Sequence, residues 1–174
     1  LAGKSIFKLK VTWREDVRHW HPGQEWIWQP GGFGVFDPGI NALSIVTRII
    51  PEPVFVASAT IEVPANAATA IAADIRFKHA DGRPCDMSAN FDWRQTGEQT
   101  WDIEIVTDDG LELNLRRGGS ILEVNGAVVL KAAMEEYELI YERFAGLLRT
   151  GTSAVDLAPL QLVNDCLMLA RPVV

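Results

Sequence analysis

The pattern of hydrophobic and polar positions predicts one strand near the start, a helix, a long β-rich region and two final helices. In the β-rich region, short apolar segments are separated by hairpin dipeptides such as Asp-Gly and Asn-Gly. In one segment Trp101, Ile103 and Ile105 alternate with other residues, which predicts a strand with one buried face. The predicted strands are Gly3–Trp13, Val54–Val63, Ala70–Phe77, Met87–Trp93, Thr100–Thr107, Leu111–Leu115, Ser120–Val124 and Ala127–Leu130.

Three segments carry the spacing of apolar residues that is typical of helices. The first begins at Asp37-Pro38-Gly39, with Asp37 as its N-cap, and runs through Ile40–Ile50. The other two are Glu135–Thr150 and Asp156–Ala170. Together with the hairpin-linked strands, they predict an α+β single domain: an open, mostly antiparallel β-sheet with helices packed on one face. The other face of the sheet is free, which predicts a homo-oligomer through that open face.

Composition limits the classes of function. The chain has 174 residues, 48% of them hydrophobic, and a net charge of −7. This charge argues against nucleic acid or an anionic membrane as a partner, because both require a concentrated basic face. No stretch approaches the roughly 18 apolar residues of a membrane span. Cys85 and Cys166 lie far apart, which predicts free thiols in a reducing cytoplasm, although a single disulfide stays open.

The run from Trp20 to Ile45 is the richest in candidate chemistry. It contains three Trp, five Gly and three Pro with almost no charge, which is typical of the wall of a small-molecule pocket. Trp20 lies in the loop and is a candidate to stack on a sugar ring. Trp26 and Trp28 have the spacing of one face of a strand, which favours packing for this pair.

Two pairs of polar residues in and beside this run have a functional and a structural interpretation. Asp37 and Asn41 are four residues apart, so on a helix a carboxylate and an amide project from the same side. They are candidates for proton transfer and for binding a substrate hydroxyl, or they are an N-cap and a polar first-turn residue. His19 and His21 have the spacing of two metal ligands on a strand, but no second cluster completes a site. A hydrogen-bonding role for them at a pocket rim is favoured.

Three motifs carry a family resemblance: Asp16-Val17-Arg18, His21-Pro22-Gly23-Gln24 and Asp37-Pro38-Gly39-Ile40-Asn41. With them, residues 1–174 resemble the C-terminal domain of the glucose–fructose oxidoreductase / inositol dehydrogenase group (Gfo/Idh/MocA). Within the group they resemble aldose 1-dehydrogenases of the L-arabinose and D-galactose type. Most of the group has His where this chain has Asn41, and this departure fits that subgroup.

The resemblance implies half of a two-domain enzyme. An N-terminal Rossmann domain would bind NADP or NAD and carry a lysine, and this chain would supply the aldose pocket and the oligomer interface. Hydride would leave C1 of the sugar while its hydroxyl loses a proton, giving an aldonolactone. By matching position, Asp37 would orient the lysine and Asn41 would bind the sugar near C1. The placement of Trp20, His19 and His21 at the rim is inferred from the loop instead.

The chain has no initiator Met and begins inside a predicted strand, which favours a fragment over simple removal of Met. On this interpretation the chain alone binds no NAD or NADP and is inactive. The surface that met the Rossmann domain is expected to be unusually apolar. The alternative is a non-catalytic sugar-sensing or oligomerisation module of the same fold, which has no need for a carboxylate aimed at a lysine.

Overall fold

The computed structural model describes residues 1–133 and 136–173, and of Glu136 and Pro172 it describes the backbone alone. One sheet contains nine strands in the order β8-β7-β6-β5-β1-β4-β3-β2-β9. The strands are β1 (Ile6–Arg14), β2 (Val54–Glu62), β3 (Ala72–His79), β4 (Asp86–Asp92), β5 (Thr100–Thr107), β6 (Glu112–Arg116), β7 (Ile121–Val124), β8 (Ala127–Lys131) and β9 (Ala170–Val173). The helices are α1 (Val17–Trp20), α2 (Phe36–Ile49), α3 (Glu136–Thr150) and α4 (Ala158–Leu169).

The predicted fold class is confirmed. The pairs β1–β4 and β2–β9 are parallel, and the other six strand pairs of the described sheet are antiparallel. Strand β5 has the predicted limits, and the other predicted strands differ from the observed ones by one to three residues at an end. Strand β9 was missed, because Ala170 was placed in the last helix. Glu135, the predicted start of the third helix, lies outside the described residues.

The core lies between one face of the sheet and helices α2 and α4. On β1, the side chains of Leu9, Val11 and Trp13 are buried at every second position, as strand geometry requires. They belong to the same hydrophobic cluster as the inner faces of the two helices. The helical members of this cluster are Phe36, Ala42, Leu43, Val46, Leu162, Val163 and Cys166. This layer fixes α2, which carries Asp37 and Asn41, against the centre of the sheet.

The opposite face of the sheet is polar and internally hydrogen-bonded. Arg14 donates from Nε to Oδ1 of Asn90 at 2.5 Å, and Asn90 donates from Nδ2 to Oδ1 of Asp74 at 2.6 Å. Lys10 forms an ion pair with Glu104 at 3.6 Å. An oligomer formed through this face would therefore depend on matched hydrogen bonds and charges more than on apolar burial.

Two other sequence expectations concern the cysteines and the membrane. Cys85 and Cys166 are both free thiols, as predicted, and burial raises the pKa of Cys166 to about 12. A thiol with so high a pKa is almost entirely protonated at neutral pH and is a poor nucleophile. Among the helices that the structure describes, none combines the length and the apolar character needed to cross a bilayer.

Candidate functional site

Helix α1 positions the first residues of the candidate site. Asp16 is its N-cap and accepts from the backbone N–H of Arg18 at 2.9 Å, while the Arg18 guanidinium pairs with the same carboxylate. The hydrogen bonds from Arg18 lower the pKa of Asp16 to about 2. This single turn carries His19 and Trp20 and ends at His21, its C-cap. The two histidines therefore do not share one face of a strand, the arrangement that a metal-ligand pair would need, because the capped turn begins directly after β1.

Glu15 is a buried carboxylate at the centre of the site. Only 2% of the residue is exposed. Its Oε2 accepts from the indole Nε1–H of Trp101 at 3.0 Å, and its Oε1 lies 3.3 Å from Nε2 of His21. Burial raises the pKa of Glu15, and the Trp101 hydrogen bond and the His21 charge partly oppose that rise. These contacts fix the orientation of the His21 ring.

His21 connects this buried acid to a second, accessible one. Its Nδ1 lies 3.4 Å from Oε1 of Gln24 and 3.8 Å from Oδ2 of Asp37. The His21 side chain is 15% exposed and that of Asp37 is 37% exposed. The residues Glu15, His21 and Asp37 therefore form a polar chain from the interior to the surface. The His21 ring therefore lies between two carboxylates, closer to Glu15 than to Asp37.

Asp37 does not cap α2, which corrects the predicted N-cap. The helix begins at Phe36, its N-cap is Val35, and no side chain caps it. The start lies before Asp37 because Gly34 has a φ of +55° and packs against Ala70, which brings Phe36 into the core. Asp37 therefore lies within the first turn, where the helix dipole stabilises a negatively charged carboxylate. Its carboxylate faces the neighbouring loop.

Asn41 lies one turn beyond Asp37 on the same helix. Its side chain is exposed, and its backbone carbonyl accepts from the hydroxyl of Ser44 at 2.7 Å. The four-residue spacing of Asp37 and Asn41 is therefore realised on a helix, as the sequence predicted. The structure brings Asp37 together with His21. Asn41 lies one turn further along the same helix, where its exposed side-chain amide is available to a ligand.

Aromatic rings form one wall beside Glu15. Trp13 and Trp101 are stacked with ring centroids 5.7 Å apart, and Trp20 lies 4.9 Å from Trp101 at a tilt of 48°. Trp20 is 40% exposed, so part of its ring remains available to a ligand. His19 is exposed and meets the Trp20 ring edge-on. This wall of Trp13, Trp101 and Trp20 offers flat apolar surface next to the polar chain.

Trp26 and Trp28 do not lie on a strand, which corrects the predicted one-faced pair. They belong to a 3-10 turn, Glu25–Trp28. Trp28 packs edge-on against the buried Trp93, whereas Trp26 is 53% exposed. The turn separates the two rings because residues two apart on a 3-10 turn point in different directions.

No metal site is evident in the part of the chain that the structure describes, since no group of three or more His, Cys, Asp or Glu side chains could hold an ion. His21 faces carboxylates, with which it can exchange protons. The indole N–H of Trp93, whose ring lies 5.3 Å from that of His21, is buried and has no hydrogen-bond partner in the described residues. It nevertheless lies close enough to the Glu15 carboxylate to oppose the rise in the pKa of that acid.

Sequence reasoning missed Glu15, Trp93 and Trp101 as site residues. A signal for Glu15 was present: it continues the alternation of Leu9, Val11 and Trp13 and so falls on the buried face. An acid at a core position of a strand is costly unless it is paired, which makes it a candidate for function. No local pattern identifies Trp101, because it reaches the site only by pairing of β5 with β1.

The raised pKa of Glu15 predicts a pH-dependent cost to stability. Between the pKa of the unfolded chain, about 4.3, and the higher folded value, the folded protein binds more protons, so stability falls as pH rises through this window. We expect Glu15→Gln to increase the free energy of unfolding by about 1 kcal/mol at pH 7 and to have little effect near pH 3.5. Urea denaturation at the two pH values measures this. A destabilised variant at pH 7 would show that pairing with His21 outweighs burial.

Known proteins resemble this chain in both sequence and structure. No family model matches the chain. The galactose 1-dehydrogenase of Pseudomonas fluorescens is 46% identical over 165 residues, which cover 95% of this chain and 53% of that protein. The crystal structure of the D-galactose-1-dehydrogenase protein from Rhizobium etli matches with 51% identity and a TM-score of 0.88, over 98% of this chain and 54% of that one. The chain thus spans about half the length of these relatives.

More distant structures share the fold. The 3-ketoreductase KijD10 from Actinomadura kijaniata, crystallised with TDP-benzene and NADP, matches 97% of this chain and 54% of its own with a TM-score of 0.71 at 12% identity. The WlbA dehydrogenase from Bordetella pertussis matches 94% of this chain and 53% of its own with a TM-score of 0.69 at 11% identity. The resemblance noted in the sequence is confirmed: this chain is a homologue of about half the length of the galactose 1-dehydrogenases, and it shares the fold of Gfo/Idh/MocA-type dehydrogenases.

Proposed function

We propose that the chain is the C-terminal, sugar-binding half of an NAD(P)-dependent aldose 1-dehydrogenase. The full-length protein would oxidise D-galactose and L-arabinose at C1 to the aldonolactone. The observation that carries this proposal is the polar chain Glu15–His21–Asp37, which has an aromatic wall beside its buried end and an accessible carboxylate at its other end. The sequence identity of 46% and 51% to two galactose 1-dehydrogenases supports the choice of substrate class.

The site suits the two surfaces of a sugar. A pyranose has an apolar face of C–H groups, which can lie against the exposed part of Trp20. Its edge carries hydroxyls that require donors and acceptors, which Asn41, His21 and Asp37 provide. D-galactose and L-arabinose have the same configuration at the ring carbons and differ by one exocyclic CH₂OH. An apolar pocket separates groups of this size by only about 10–200-fold, so we propose both as substrates.

The described residues do not fit a dinucleotide cofactor. The parallel pairs β1–β4 and β2–β9 are not consecutive strands of a βαβ unit, and no Gly-x-Gly-x-x-Gly loop follows any of them. The KijD10 and WlbA structures, which share the fold, hold NADP and NADH respectively, each in a chain about twice as long as the matched part. We therefore place the NAD or NADP, which would accept the hydride, on the other half of the protein.

In the proposed reaction this chain orients the groups that remove the proton from the C1 hydroxyl of the sugar. The Asp37 carboxylate would orient the lysine of the other half. That lysine, in its neutral form, would accept the proton lost from the C1 hydroxyl, and the resulting ammonium would be paired with Asp37. His21 would keep Asp37 oriented, and the buried Glu15 would fix the His21 ring through Nε2. Asn41 would hydrogen-bond the sugar near C1. Because Glu15 is inaccessible, it acts as a positioning residue.

We also propose that the full-length protein is a homo-oligomer through the open face of the sheet. That face carries paired charges such as Lys10–Glu104 and hydrogen-bonded side chains such as Arg14 with Asn90. In a two-fold interface the same patch of both subunits is in contact, so a cationic group of one subunit can pair with an acidic group of the other, and each such contact occurs twice. Such an interface would weaken at high salt.

A turnover assay on two lengths of protein tests the proposed function. We expect the full-length protein to reduce NAD or NADP with D-galactose and L-arabinose, and the 174-residue chain to stay at background because it lacks the cofactor half. Absorbance at the nicotinamide band measures both. Activity of the short chain well above background would contradict the division of roles. A full-length protein that binds the sugars without turnover would favour the sugar-sensing alternative.

A further inference from the structure

Helix α3 stands apart from the rest of the domain. None of its described side chains is buried, and it does not pack closely against any other described helix or strand. Helices α2 and α4, in contrast, pack against each other and against the sheet. A 15-residue helix without tertiary packing is only marginally stable in water, because most helical stability in proteins comes from burying an apolar face.

One side of α3 carries an uncovered apolar stripe. Its members recur at intervals of four, three and four residues, so they fall on one face of the helix. They are Tyr137, Tyr141, Phe144 and Leu148, each between 57% and 71% exposed. The other side carries Glu138 and Glu142. This arrangement is the amphipathic pattern of a helix that faces a protein surface.

The strand β8 is a second segment with uncovered apolar side chains. Strand β8 is an edge of the sheet, and its Val128, Val129 and Leu130 are each more than half exposed. An apolar edge strand invites pairing or aggregation unless something covers it. Uncovered apolar surface of this extent marks an interaction site. The open face of the sheet is the polar one.

We infer that the stripe Tyr137–Tyr141–Phe144–Leu148 is the docking surface for the half of the natural protein that lies outside this chain. The inference rests on the proposed two-domain architecture. The Rhizobium etli match covers 98% of this chain and so includes α3, yet 46% of that chain lies outside the match. That second half supplies a protein surface linked to α3 by the same backbone, at a high effective concentration. Docking would order α3 and cover β8.

Hydrogen exchange in the full-length protein tests this inference. We expect the α3 amides to exchange at least about 100-fold more slowly than in an unstructured peptide, and this protection to be independent of protein concentration. Phe144→Asp places a charge in the stripe and should return α3 close to unprotected exchange. Helix α2 should stay protected in the same sample, which shows that the domain is still folded.

Leu139→Asp is the matched control, because Leu139 is also 60% exposed but projects from the opposite side of the helix. It should leave α3 protected. Unprotected α3 in the wild type, or equal effects of the two variants, would overturn the inference. Protection lost on dilution would also overturn it, since a second copy would then be the partner. Galactose turnover on the same sample separates the two proposals: protected α3 without turnover refutes only the proposed function.

Discussion

In the full-length protein, Asp37→Ala is expected to lower kcat for D-galactose by about 10²–10⁴-fold, the usual contribution of a residue that takes part in proton transfer. The carboxylate is exposed and lies 3.8 Å from Nδ1 of His21, so its removal leaves both His21 and the proposed lysine without their partner. Initial rates at saturating sugar measure kcat. Because Asn41 and Trp20 would still bind the sugar, KM should change much less.

Two further variants sharpen that experiment. Asp37→Asn keeps the shape but removes the charge, and should lose nearly as much of kcat as Asp37→Ala. Glu25→Ala removes an acid of the 3-10 turn that precedes α2, one outside the polar chain, and should change kcat less than about twofold. If Asp37→Ala keeps more than a tenth of wild-type activity, the carboxylate has no part in the proton step. The sensor interpretation of the fold then gains support.

Gly34→Ala is expected to destabilise the domain by about 3 kcal/mol or more. A Cβ at this position would lie 2.5 Å from the carbonyl oxygen and 2.8 Å from the backbone nitrogen of Ala70, and Gly34 has a φ of +55°. Backbone atoms cannot yield as a flexible side chain can. Relief of the clash would break the hydrogen bond from Val35 N–H to the Ala70 carbonyl, which is 2.7 Å long and fixes the start of α2.

Gly23→Ala is the matched control for this effect. Gly23 has a similar φ of +73°, but nothing lies within 4 Å of a Cβ built there. It should therefore show only the cost of the left-handed conformation, about 1–2 kcal/mol. Chemical denaturation of both variants gives the difference. Equal losses would show that the contact between Gly34 and Ala70 does not constrain the loop, and that Asp37 owes its position to other contacts.

The sequence allowed the strands and the helix of the site to be predicted where local pattern dominates. Strand β5 alternates so regularly that its limits follow from its side chains alone. That Asp37 and Asn41 project from the same side of a helix follows from the helical period alone. The role proposed for Asp37 came from a family resemblance, because composition and spacing alone favoured an N-cap.

The remainder of the site depends on contacts between distant parts of the chain. Glu15 is held in the candidate site by a hydrogen bond from Trp101, which lies on a strand and 86 residues later in the chain. Strand β9 has four residues, and it forms by pairing with β2 at the edge of the sheet. Trp26 and Trp28 have the spacing of a strand, but the pocket loop is too rich in Gly and Pro to extend. For Glu15 and β9, contacts between distant parts of the chain override the local signal.

The position of β1 in the sheet has a consequence for how the protein folds. It is the first strand in the chain, yet its partners in the sheet are β4 and β5. Its hydrogen-bond ladder is therefore complete only when Trp13 has paired with Trp101. Contacts this distant in sequence raise the contact order and slow folding. On the ribosome one edge of this central strand would remain unpaired until β5 emerges. Glu15, which directly follows it, would be desolvated only then, and the site would assemble late.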